Sequence, residues 1–298
     1  MKKLIFGIVL MSLMAIIGLS IVACDTGSGN IVGGGGGGAG SNINISEMTF
    51  DAVMSAINAA LAVGNATVTG SATDLQGLIH LTIPAGRTLN WHADVRGTAV
   101  FIPHGGGDLI VANGGRFESH RNSMMISLDN FDGRFIVETG GEILNTYTGF
   151  LAGGGISLGG ERGSRTLIVR GGVITGYWDA ILVTFDSAVY IESGTVRNTS
   201  VNADSTAIDG RGNARIKISG GTITTGGAGA AVIGRWGSPR VFVSGTPTIA
   251  PGGIRTGSIE ARGYWLGSNN QALFLTDGSA RAFTIDTDLF YGAPANWQ

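Results

Sequence analysis

One cysteine, Cys24, stands in 298 residues, so no disulfide can form within a single chain. Charge is sparse as well: 13% of residues are charged, and only three are lysine (Lys2, Lys3 and Lys217). With 19 basic residues against 21 acidic ones, no strong field of either sign exists, which argues against a nucleic-acid partner. Proline is limited to six residues, and no Gly-X-Y period accompanies the glycines, so a collagen-like chain is excluded. The four histidines, His80, His92, His104 and His120, contain no close pair of the HExxH kind that a zinc site uses. Their first intervals, of 12 residues, predict scattered surface histidines and no metal site.

What the chain has in abundance is glycine, 52 residues of it, placed in a recurring phrase. LIVANGGRF from Leu109, FIVETGGEI from Phe135, LIVRGGVI from Leu167, VYIESGTV from Val189, IKISGGTIT from Ile216 and VFVSGTPTI from Val241 each read as a short alternating strand, a glycine turn and a second strand. Marked by their first turn glycine, the copies lie 26, 31, 23, 26 and 25 residues apart, from Gly114 through Gly140, Gly171, Gly194 and Gly220 to Gly245. A weaker copy, LTIPAGRTL, precedes them. A third strand comes before each phrase, as in MMISL, GISLG, AILVTF, TAID and AAVIG. Recurrence at this scale, with variable loops between the copies, predicts a large-coil solenoid. One coil cannot bury its own apolar row; coils stacked about 4.8 Å apart can. The fold class is therefore all-β, a parallel β-helix (solenoid) with an N-terminal capping helix.

The remaining segments follow from composition. Residues 1–23 carry Lys2 and Lys3 ahead of an apolar run and read as a signal peptide. Residues 24–45 contain the unbroken run Gly33 to Gly38 and read as a tether with a reach of roughly 25 Å. That run lacks the Gly-Lys-Ser/Thr ending of a phosphate-binding loop. Residues 46–64 predict an amphipathic helix capped by Ser46, with Phe50, Val53, Met54, Ile57 and Leu61 on one stripe, lying as a lid on the first coil. Residues 65–258 are the solenoid. Residues 259–298, where the phrase stops and seven aromatics gather, read as a last coil and C-terminal cap. That segment has no room for the eight or so strands of an outer-membrane barrel.

Two resemblances add to this reading. Ile21-Val22-Ala23-Cys24 resembles the lipobox of bacterial lipoprotein signal peptides. It implies cleavage before Cys24, a diacylglycerol on its sulfur, further acylation (palmitate among the usual chains) of the new amino group, and a place in the cell envelope, at an outer membrane or cell surface. Acyl chains, at about 0.8 kcal/mol per buried methylene, would make that anchorage durable. An ordinary secretory leader followed by a free thiol is the alternative. The stacked phrases, as in VYIESGTV and IKISGGTIT, resemble right-handed parallel β-helix proteins of the pectate-lyase-like superfamily, and most nearly their repeat-rich bacterial surface lipoproteins. Enzymes of that superfamily act on acidic polysaccharides with clustered carboxylates, Ca²⁺ in some of them, and a neighbouring basic residue.

Candidate site residues lie around the first strand of successive coils. Asp179, Asp186, Asp204 and Asp209, with Arg211 and the flanking Arg162 and Arg235, are the groups that stacking would bring nearest each other. Asp186, Asp209 and Arg211 are the candidates for catalysis; Ca²⁺ enters only with a lyase, and no other cofactor is implied. Trp178, Asp179, Arg235 and Trp236 are the candidates for binding, since aromatics beside Asp and Arg suit the faces and hydroxyls of a sugar. Tyr147, Phe150 and Tyr177 share those inter-coil loops. Gly155-Ile156-Ser157-Leu158-Gly159 spells a nucleophile elbow, but every histidine precedes it and it sits in a solenoid strand. Asn145 and Asn198 fall in one slot after their glycine turns, a structural position that Gly176 and Thr225 fill in other copies. The leading expectation is a lipid-anchored, noncatalytic protein that binds a glycan or a partner surface in the manner of an adhesin. An anchored polysaccharide lyase or glycoside hydrolase and a structural envelope spacer are the alternatives.

Overall fold

The computed structural model describes residues 40–149, 153–160, 164–227, 229–237, 239–243, 246–250, 253–256, 262–263, 265–266, 271–276 and 279–284. The segment read as a signal peptide, Cys24, most of the segment read as a tether, Phe150 and Arg162 lie outside these residues. Within them the chain winds as a parallel β-solenoid of about eight turns, with one short helix near its start. The coil strands form a 16-stranded and a nine-stranded sheet in which every pair is parallel.

Four apolar columns run through the winding, and strand register builds them. Ile126, Ile156, Ile181, Ile208, Val232 and Ile254 stack as consecutive partners. Leu89, Leu109, Phe135, Leu167, Val189, Ile216 and Val241 form the second column. Val111, Val137, Val169, Ile191, Ile218 and Val243 form the third. Phe117, Ile143, Ile174, Val196, Ile223 and Ile249 form the fourth. All are buried. Removing each from water contributes roughly 1.5–3 kcal/mol, so the columns dominate stability. Residues between the column positions face outward, which is why Ile110, Tyr190 and Lys217 are interchangeable there.

The paired glycines of the turns do two different jobs. Gly114 has φ +86°, a left-handed conformation with open space where a Cβ would be. Gly115 has an ordinary φ, but a Cβ on it would lie 2.0 Å from the Trp91 carbonyl oxygen of the preceding coil. At the next turn Gly140 is again left-handed, φ +79°, but a Cβ there would lie 3.2 Å from the Gly114 nitrogen, and one on Gly141 would lie 2.2 Å from the Val111 oxygen. The turns expected at Gly171 and Gly194 are instead irregularities within the continuous strands Thr166–Gly176 and Ala188–Asn198. Pairing resumes on both sides of them, with the register shift falling between Val169 and Val173.

The helix spans Phe50–Val63 and buries Val53, Ile57, Ala60 and Leu61, with Phe50 and Met54 packed against the same core. It contacts the strands Ser41–Asn44, Ala66–Thr69 and Leu78–Thr82, covering the first coil as the apolar stripe predicted. Its N-cap is Thr49, whose Oγ accepts from the Ala52 amide at 3.4 Å, and not Ser46. Ser46 Oγ accepts from the Ser71 amide at 3.1 Å, and Glu47 takes a left-handed φ of +66°, so the chain is still turning there. Ser41–Asn44 lies in the stretch assigned to the tether, yet it pairs in parallel with Ala66–Thr69 and buries Ile43. Ile43 and Ile45 alternate toward the core, a two-residue signal hidden behind the glycine run.

At the other end, Arg262–Gly263 continues the parallel ladder from Arg240–Val243. Trp265–Leu266, Gln271–Thr276 and Ser279–Thr284 then form a three-stranded antiparallel sheet. Among the described residues no helix is long and apolar enough to cross a membrane.

Candidate functional site

The nine-stranded sheet carries the candidate acids. On the strand Thr206–Gly212, Ile208 points inward, so Asp209 and Arg211 take outward positions. Asp209 is in register with Leu182 on one side and Ile233 on the other. Arg211 is in register with Arg235 of the next coil. Outward parity ordinarily means exposure, yet Asp209 is 0% exposed. Two guanidinium groups close over it. Arg211 donates to Asp209 Oδ2 from Nε at 3.0 Å and from Nη2 at 2.6 Å. Arg235 Nε lies 3.5 Å from the same oxygen, an ion pair without hydrogen-bond geometry.

Asp179, at the start of the strand Asp179–Val183, is 5% exposed. Burial pushes its carboxyl up to about 7, and the neighbouring charge of Asp209 adds to the rise. Arg235, Arg211 and the Thr206 amide pull in the other direction. Asp179 Oδ1 and Asp209 Oδ1 are both buried without a hydrogen-bond partner. Two carboxyl groups in one desolvated region favour a proton on one of them, the direction in which Asp179 is shifted.

The structure separates the remaining candidates from this cluster. Asp186 is exposed in the turn after Asp179–Val183, where its Oδ1 accepts from Asn213 Nδ2 at 3.1 Å and its carbonyl accepts from Arg215 Nη2 at 3.0 Å. Asp186 thus meets Asn213 and Arg215, while Asp209 meets Arg211. Asp204 is exposed, and its carbonyl oxygen accepts from Arg235 Nη2. Trp178 sits half-buried at the bend before Asp179. Trp236 belongs to the strand Val232–Gly237 and not to a loop, because the ladder continues outward through Arg211 and Arg235; its side chain lies outside the described set.

The polar slot after the glycine turns positions this region. Asn145 is in register with Ser119, and the next coils place Gly176 and then Asn198 at the same level. Asn145 Nδ2 donates to the Ser123 and Gly154 carbonyls at 2.8 and 3.0 Å. Asn198 Nδ2 donates to the Tyr177 and Trp178 carbonyls, and its Oδ1 accepts from the Gly226 amide at 3.2 Å. Thr225 Oγ1 donates to the Gly227 carbonyl at 3.0 Å. The slot is structural, and in the coil of Asn198 it holds the backbone that presents Trp178 and Asp179.

Elsewhere, Asp94, Arg96, Arg116, Glu118 and Glu142 form a charge network across three adjoining coils, with contacts from 2.6 to 4.0 Å. A polar cleft of about 380 Å³ opens at another corner, between Arg87, Asp108, Asp132 and Arg134. His80 and His104, 24 residues apart and on adjoining coils, bring Nδ1 and Nε2 within 2.8 Å of each other. Burial and the neighbouring His80 hold the His104 imidazole below its ordinary range. That pairing was hidden by reading the histidines at intervals of 12, when the coil repeat is about twice that. The Gly155–Gly159 segment is a solenoid strand, Ile156–Leu158, flanked by parallel neighbours and not a strand-to-helix elbow. Among the described residues no three His, Cys, Asp or Glu side chains group to hold a metal. Set against models of known protein families, curated proteins and solved structures, the chain matches none of them.

Proposed function

We propose that this protein is a noncatalytic binding protein of the cell envelope, anchored through lipid on Cys24, that presents its β-solenoid to a glycan or a partner surface. One observation carries the choice of binding over catalysis. In the candidate acid cluster the carboxylates are sealed while the cations remain in reach: Asp209 side-chain exposure is 1%, against 30% for Arg211 and 26% for Arg235. A general acid or nucleophile must touch the reacting atoms, and buried Asp209 gives one oxygen to arginine and keeps the other away from solvent. Half-buried Trp178 beside this rim supplies a flat apolar face of the kind sugar rings pack on. The membership of the pectate-lyase-like superfamily suggested by the repeat belongs to this proposal, as does the lipobox reading of residues 21–24.

Detergent-solubilised protein incubated on a glycan array tests the reading. Binding that falls in Trp178→Ala supports it. Absence of signal above background on every glycan, together with turnover of polygalacturonate with or without Ca²⁺, would replace it with the lyase or hydrolase reading.

A further inference from the structure

The strongest unassigned feature is the His80–His104 dyad, far in sequence from the acid cluster. His80 lies on Leu78–Thr82 and His104 on Val100–Gly105, two strands paired over five residues. His80 is in register with Ile102, and Thr82 with His104, so the two imidazoles meet diagonally across adjoining coils. Both occupy outward positions, since Ile79 and Leu81 on the same strand are buried. The rings are within 17° of parallel with centroids 5.1 Å apart. With the nitrogens at 2.8 Å, the planes are too close for face-to-face stacking, and the contact is edge to edge. One ring donates its N–H into the in-plane lone pair of the other.

We propose that this dyad chelates a divalent late transition metal, Cu²⁺, Ni²⁺ or Zn²⁺, through His80 Nδ1 and His104 Nε2. Imidazole nitrogen suits these ions. Two donors at about 2.0–2.1 Å from one metal, in adjacent positions at a right angle, are themselves about 2.8–3.0 Å apart. The hydrogen-bonded nitrogens, 2.8 Å apart, show that both side chains reach a common point. Binding requires each ring to turn until both lone pairs aim at one point outside the sheet, and the solvent-facing side of the strands leaves room for that rotation. It also requires the donor ring to change tautomer, its proton moving to the other ring nitrogen, so that no net proton is lost by a neutral pair. Rigid parallel pairing beneath the rings fixes the separation of their backbones. Thr82 and Asn130 are the polar residues in register with His104 on the adjoining coils, and water completes the coordination.

The test is Cu²⁺ titration of the full chain in detergent, followed by electron paramagnetic resonance. The expected signal is one bound ion with two equivalent nitrogen ligands. His80→Ala and His104→Ala each abolish the two-nitrogen pattern and weaken binding by about 10–100-fold or more, since losing even an outer-shell partner costs that much. The control variant His92→Ala/His120→Ala retains the signal. Unchanged circular dichroism in all variants assigns the loss to the ligand and not to unfolding. Failure of the parent protein to bind stoichiometric Cu²⁺, or a two-nitrogen signal surviving in the His80→Ala/His104→Ala double variant, overturns the proposal.

Discussion

Arg211 donates twice to a single oxygen of Asp209, at 3.0 Å from Nε and 2.6 Å from Nη2, and leaves the other oxygen buried with no partner. The pair therefore lacks the two-oxygen fork by which arginine usually meets a carboxylate. Asp209 lies in a desolvated place, and Arg211 and Arg235 supply the counter-charge there.

Removing Arg211 exposes this dependence. Arg211→Ala leaves the buried carboxylate short of its principal partner and lowers stability by about 3–5 kcal/mol. Asp209→Ala/Arg211→Ala removes charge and counter-charge together and is much milder. The midpoints of urea denaturation for the two variants measure the difference; equal losses would mean that Arg235 alone compensates Asp209.

Asp179 sets a pH dependence. Its folded pKa, about 7, lies above the ordinary carboxylate value of 3.8 that it regains on unfolding. Between those values the folded chain keeps a proton that the unfolded chain releases, so stability falls as pH rises from about 4 to about 7 and levels off above. Asp179→Asn, which cannot titrate, removes that part of the slope. Thermal midpoints of both proteins from pH 4 to pH 8 give the comparison, and parallel curves would exclude Asp179 as the source.

The glycine pair at the first full turn separates two kinds of constraint. Gly114→Ala pays only for a left-handed backbone, about 1–2 kcal/mol, because nothing lies where the methyl would go. Gly115→Ala places a methyl 2.0 Å from the Trp91 carbonyl oxygen, which coil stacking holds in place, and costs more. The expected order, Gly115→Ala below Gly114→Ala in thermal midpoint, would be reversed if the coils could part to admit the methyl.

Much of this was legible in advance, for reasons that differ by residue. Ile181, Ile191, Ile208 and Ile218 announced their burial because alternation within a strand and recurrence between strands are both one-dimensional patterns, and all four are 0% exposed. Asn145 and Asn198 were readable as one structural slot by the same counting. Asp209 and Arg211 were readable as neighbours, being two residues apart on one face. Sealing of Asp209 was not, because it depends on Arg235 reaching back across a coil from a strand whose register no spacing reveals. Asp186 shows the converse: the ladders on either side hold Leu182 against Asp209 and Ala188 against Arg215, which sets Asp186 opposite Asn213.

The sequence by itself determined a parallel β-solenoid and the helix over its first coil, since both rest on periodic apolar positions written along the repeats and the helix stripe. Tertiary structure alone decided which polar groups meet. Repeat counting sets residues at one level of the winding but not the direction in which each polar side chain turns. Packing between coils puts His80 against His104, closes Arg211 and Arg235 over Asp209 and leaves Asp186 against Asn213.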